Sequence, residues 1–152
     1  MDLLVCNHKR EGAFTLIEIL LSMALLAILV AFSLPTFNVL FYTNDLDVAK
    51  NQVAQSLNRA SFLSSASQGD TTWGVKVSAG EVVIFKGSSY AARDTEYDES
   101  YNISPSIALT GISEIVFEKM TGLPQTTGNI ILTSPNGQTR TVTINAKGSI
   151  NY

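Results

Sequence analysis

Glu18 is a carboxylate in a place where a carboxylate is costly. It lies within Ala13 to Leu34, a run whose other non-apolar residues are Thr15, Ser22 and Ser33. At membrane depth an acidic side chain costs roughly 2.5 to 3.5 kcal/mol at a helix centre, and less near the interface, so it calls for a partner. Lys9 and Arg10 are near enough to snorkel toward it, since Glu18 sits about one helical turn inside the run. The other source of positive charge is a new amino terminus, made by cutting the chain before Phe14 and offered to the Glu18 of a neighbouring copy.

Three further groups carry potential chemistry. Asp94, Glu96, Asp98 and Glu99 are weak calcium candidates, because their spacing lacks the mid-loop glycine and distal bidentate Glu of an EF-hand. A solvated loop is the simpler expectation for 88–102. Tyr90, Tyr97 and Tyr101 beside them read either as a partner-docking surface or as ordinary strand-edge packing. Cys6 and His8, the sole cysteine and histidine, precede Phe14. A chain cut there has neither residue type, which removes Ser-His-Asp and Cys-His nucleophiles, histidine zinc sites and disulfides. No enzyme and no cofactor are expected. Gly69, Gly74, Gly80 and Gly87 have no phosphate-cradle spacing, and the sequon Asn102-Ile103-Ser104 is short enough to occur by chance.

The elements that must position these residues follow from pattern. Ala13 to Leu34 has about the length a helix needs to cross a bilayer. It exceeds a signal peptide's apolar core and lacks a small-x-small cleavage site. Lys9 and Arg10 on one flank, with no further cation before Lys50, orient the amino terminus inward. Between Gly12 and Gly69 there is no glycine and one proline, so Phe14 to about Ser67 reads as one long helix with a kink at Pro35. Asn44-Asp45 is an alternative start for a separate second helix. Leu46, Ala49, Val53, Leu57, Ala60 and Ser64 recur at helical spacing and predict a buried stripe. After Gly69 the period shortens. Trp73 to Val77 with Glu81 to Lys86 predicts one hairpin, and Asn129 to Ser134 with Thr139 to Asn145 another across Asn136-Gly137. Ile103 to Leu109, with Pro105 marking an edge, and Ile112 to Met120 are further strands, and a short one ends at Tyr152.

Gly12-Ala13-Phe14-Thr15-Leu16-Ile17-Glu18, behind a short basic leader and before a full-length apolar helix, resembles the class III signal of type IV prepilins and type II secretion pseudopilins. The resemblance implies removal of the leader by a prepilin peptidase, N-methylation of the new terminal Phe14, and assembly guided by Glu18. The family pattern has Gly directly before Phe, whereas here Ala13 intervenes. Cleavage after Gly12 and cleavage after Ala13 both remain open. Only cleavage after Ala13 puts Phe first, Glu18 at the assembly position and Pro35 at the first kinking proline of pilins. The strand-rich last eighty residues are more weakly similar to H-type minor pseudopilins and FimT-like pilins.

The organisation expected is α+β and pilin-like. Residues 1–13 form the leader, 14–35 a membrane and filament-core helix, 36–68 its amphipathic continuation, and 69–152 an antiparallel β domain of six or seven strands. With 152 residues, 45% apolar, and a net charge of −3, there is room for one modest core and no basic patch for nucleic acid as a main partner. The expected partners are copies of the chain or other pilins, the peptidase and the membrane. The expected location is the cytoplasmic membrane for the precursor and the cell surface or periplasm for the filament. The alternative from another class is a single-pass membrane-anchored β-domain binding module.

Overall fold

The computed structural model describes residues 14–152, with the side chains of 32–40 outside that description. Gly12, Ala13 and the leader therefore lie outside it, as does the side chain of Pro35. The chain divides into two units, Met1–Asn38 and Val39–Tyr152.

Helix α1, Leu16–Ser65, is one element. It passes through Asn44-Asp45 without a stop, so the alternative of a separate second helix is corrected. Good helix formers and a buried face just beyond those residues outweigh an isolated capping signal. In the first unit, the large apolar side chains of α1 from Leu16 to Val30 are all more than half exposed. Among the described residues no helix is long and apolar enough to cross a membrane. The apolar stretch with described side chains, 16–31, would measure about 24 Å, against about 30 Å for a bilayer core.

In the second unit the same helix is amphipathic. Leu46, Ala49, Val53, Leu57, Ala60 and Ser64 are all fully buried. A single 3-10 turn, Gln68–Asp70, ends the helical region, with Gly69 at φ +70°.

Eight strands follow, one or two more than the pattern predicts: β1 Trp73–Ser78, β2 Glu81–Lys86, β3 Asp94–Asn102, β4 Ala108–Gly111, β5 Glu114–Phe117, β6 Gly128–Thr133, β7 Thr139–Ile144 and β8 Ile150–Asn151. They form two four-stranded antiparallel sheets, ordered β3-β2-β1-β5 and β4-β6-β7-β8. The chain passes between sheets at Ile112-Ser113, which separate β4 from β5. Gly111 turns this corner at φ +91°, and a Cβ there would lie 2.1 Å from the Asn129 carbonyl oxygen, so only glycine fits.

The strand expected at Ile103 to Leu109 begins only at Ala108. Pro105 has no N–H to donate, and Ile107 N–H bonds back to the Ser104 carbonyl instead, turning the segment and burying Ile103 and Ile107. One apolar core joins the buried face of α1 to both sheets, with Trp73, Ile84, Ile115 and Phe117 from one and Ile130, Leu132, Val142 and Ile144 from the other.

Hydrogen bonds tie α1 to each sheet. Thr43 Oγ1 donates to Gln138 Oε1 at 2.9 Å, and Arg140 Nε to Asp47 at 2.8 Å, on the second sheet's side. On the first, buried Ser64 Oγ accepts the Trp73 N–H at 2.8 Å and reaches the Phe117 carbonyl at 3.2 Å. Gly122 packs against the helix so closely that a Cβ would meet the Ser61 carbonyl oxygen at 2.7 Å.

Candidate functional site

The expected site falls at the start of α1. Phe14 is 76% exposed, and Glu18 is exposed in the first helical turn. Thr15 precedes the helix, and its Oγ1 accepts a long bond of 3.4 Å from the Glu18 N–H. Glu18 N–H and Ile19 N–H also reach the Thr15 carbonyl. This matches an N-cap with an acid three residues on, a pattern legible in Thr15-Leu16-Ile17-Glu18. The first-turn backbone N–H groups point toward the amino terminus and make it partly positive, which favours a carboxylate there. Ser22 Oγ donates to the Glu18 carbonyl at 2.7 Å, so the hydroxyl inside the apolar run is satisfied by its own helix.

The described end of the chain thus presents an aromatic residue, a capped helix start and a carboxylate within five residues, all open to contact. Gly12 and Ala13 lie outside the described residues, and so do Lys9 and Arg10.

The acidic segment is placed differently from the expectation. Asp94–Asn102 is a strand, β3, paired with β2, and not a solvated loop. Its register slips between Ile84 and Lys86, and its residues are exposed or half-buried throughout, so no apolar alternation marks it as a strand. The preceding segment folds over the outer face of the first sheet. Tyr90 meets Phe85 edge-on at 5.7 Å, and its N–H donates to Glu114 at 2.8 Å. Arg93 stacks 3.8 Å from the Tyr90 ring centroid and donates to Asp98 at 2.8 Å. Beneath it, Phe85 lies over Gly74, where a Cβ would be 2.4 Å from the ring.

The three tyrosines therefore go to three places. Tyr90 covers the outer face. Tyr97 holds Lys86 Nζ 3.8 Å above its ring. Tyr101 donates to Glu99 at 3.1 Å on the side facing α1. Each of the three rings thus has a partner within the chain.

Three of the four calcium candidates face cations instead: Asp94 toward Lys86 at 3.9 Å, Asp98 toward Arg93, and Glu99 toward Arg59 through two bonds of 2.6 Å. No group of three potential metal ligands occurs among the described residues. The Arg59 bonds hold the Glu99 carboxyl below its ordinary range despite partial burial. Burial, and then its bond to Glu99, push the Tyr101 phenol up. The pairings of Arg59 and Arg93 have no local sequence signal, because their partners lie far along the chain or across a turn, whereas Ser64 falls on the predicted buried stripe.

No curated protein and no solved structure matches the chain. A family model does match at the amino-terminal end, over residues 8–34, and its description is the prokaryotic N-terminal methylation motif. The matched segment contains Phe14, the capping Thr15 and Glu18, together with most of the exposed apolar run. The chain thus carries a class III prepilin signal, consistent with the type IV pilin and pseudopilin family.

Proposed function

We propose that this protein is a structural subunit of a type IV pilus-like or pseudopilus filament. In this reading a prepilin peptidase cuts between Ala13 and Phe14, and Phe14 is N-methylated. The helix from Phe14 to about Pro35 then spans the membrane and later lies in the filament core, while residues from about 69 onward face outward. The observation that supports the reading is the methylation motif at residues 8–34 on a helix whose apolar side chains are left uncovered on every side.

The Phe14 amine and the Glu18 carboxylate of a neighbouring copy form the pair that guides addition. In apolar surroundings an unpaired carboxylate is penalised and a paired one is not, so subunits are favoured in the register that pairs them. The protein has no enzymatic step of its own, and Pro35 is where the helix loosens.

The test is the intact mass and terminal residue of the membrane-extracted protein from cells with and without a prepilin peptidase. A chain beginning at N-methylated Phe14 is expected only with the peptidase. A chain retaining Met1 to Gly12 in peptidase-positive cells would overturn the proposal and favour a permanently anchored binding module. Glu18→Gln is expected to abolish assembly while leaving the melting temperature of the β domain unchanged.

A further inference from the structure

Where α1 passes the edge of the first sheet, it turns a polar face toward β3 rather than an apolar one. Gln52, Gln55, Ser56 and Arg59 follow one another at helical spacing, so they share that face. With Ile84 of β2 and Tyr101 of β3 they line a cavity of about 120 Å³. A single water needs roughly 10 to 15 Å³, and drug-sized ligands occupy roughly 300 Å³ or more. The space therefore suits one small ring.

Its wall is electrically balanced. Arg59 uses Nε and Nη2 on Glu99, and Tyr101 donates its proton to the same carboxylate. What stays open is mixed in kind: the Arg59 Nη1 group donates, and the Tyr101 oxygen accepts. Ser56 is 1% exposed. It accepts from Gln52 Nε2 at 3.3 Å, and its own proton reaches no acceptor among the described residues. Gln55 is exposed and has no hydrogen-bond partner among them either. A buried donor left unpaired is costly, so the cavity favours a guest that accepts from Ser56.

A carboxylate guest would lie against Glu99 and a cation against Arg59, and like charges at close range repel. An amide guest offers one acceptor and one donor group, too few for Ser56, Gln55, Arg59 and Tyr101 together. Hydroxyls on adjacent carbons each donate and accept, and the C–H groups between them suit the apolar wall of Ile84.

We propose that the cavity between α1 and β3 is a binding site for one neutral polyhydroxylated ring, a monosaccharide unit, held by Gln55, Ser56, Arg59 and Tyr101. Glu99 is a positioning residue, which fixes the Arg59 and Tyr101 groups and keeps the site uncharged. The site lies wholly in the second unit and does not rest on the filament-subunit reading.

The test uses the full-length, isotope-labelled protein in phosphocholine micelles, whose headgroups carry no sugar. Glucose, galactose and N-acetylglucosamine are titrated in, with sodium acetate and acetamide as comparisons. At least one sugar should shift the side-chain amide signals of Gln52 and Gln55 and the Nε–H signal of Arg59, with millimolar affinity, whereas acetate and acetamide should not. Gln55→Ala and Ser56→Ala should each weaken that sugar's binding about fivefold, and Glu96→Gln should leave it unchanged. Glu99→Gln should lose the sugar and gain the acetate shifts, because it leaves the Arg59 charge uncompensated. Absence of any sugar shift, shifts of equal size with acetate or acetamide, or full affinity in Gln55→Ala with its melting temperature unchanged would overturn the proposal.

Discussion

One helix, α1, has two environments in this molecule. From Leu16 to Val30 its large apolar side chains are all more than half exposed, whereas from Leu46 to Leu63 one face is fully buried and the rest is polar or uncharged. The backbone is the same, so the difference lies in what the side chains are offered. The second stretch is held by packing against two sheets, as most helices in folded domains are. The first has no such cover among the described residues.

The sharpest way to break this contrast is to remove packing from the covered stretch alone. Leu57→Ala, at a fully buried position, is expected to cost about 3 kcal/mol in denaturant unfolding. Gly122→Ala should cost about 2 kcal/mol, since it demands φ +64° of a residue with a Cβ and places that Cβ 2.7 Å from the Ser61 carbonyl oxygen. Ser64→Ala, which strands the buried Trp73 N–H, should cost about 1 to 3 kcal/mol.

A smaller effect is set by pH. Glu99 has a lowered pKa in the folded state, so its contribution is complete above its ordinary value of 4.5 and is lost as pH falls through the folded value. Because Arg59 is half exposed, the pair is worth under about 1 kcal/mol. Glu99→Gln should flatten the acid limb of a stability profile below pH 4.5 and change little at neutral pH. Least of all, Leu25→Ala should leave unfolding of the β domain within about 0.5 kcal/mol. A loss as large as that of Leu57→Ala would mean that the uncovered stretch is packed after all.

The helix and the two tight hairpins were readable because their signals are local. The absence of glycine from 13 to 68, the six-residue stripe from Leu46 to Ser64 and Asn136-Gly137 are each read from neighbouring turns of the chain. Strand β3 was not readable, since Asp-Thr-Glu-Tyr-Asp-Glu-Ser has no alternation and its pairing slips between Ile84 and Lys86. The division into two sheets depends on Gly111 fitting beneath the Asn129 carbonyl, a contact eighteen residues away in sequence. At the amino terminus, residue types announced the candidate site. The capping relation between Thr15 and Glu18 is also written there, as a hydroxyl and a carboxylate three residues apart at the helix start.

The attachments of α1 also have a mechanical meaning. Asp47 is fastened to Arg140 on one sheet and Ser64 to Trp73 on the other, points about 25 Å apart along the helix axis. A pull along that axis loads both fastenings and the apolar face between them together, as in a lap joint. The same force applied across the axis at Val39 would open them one after another. Tension on the helix is therefore borne by the whole domain, and peeling by only one bond at a time.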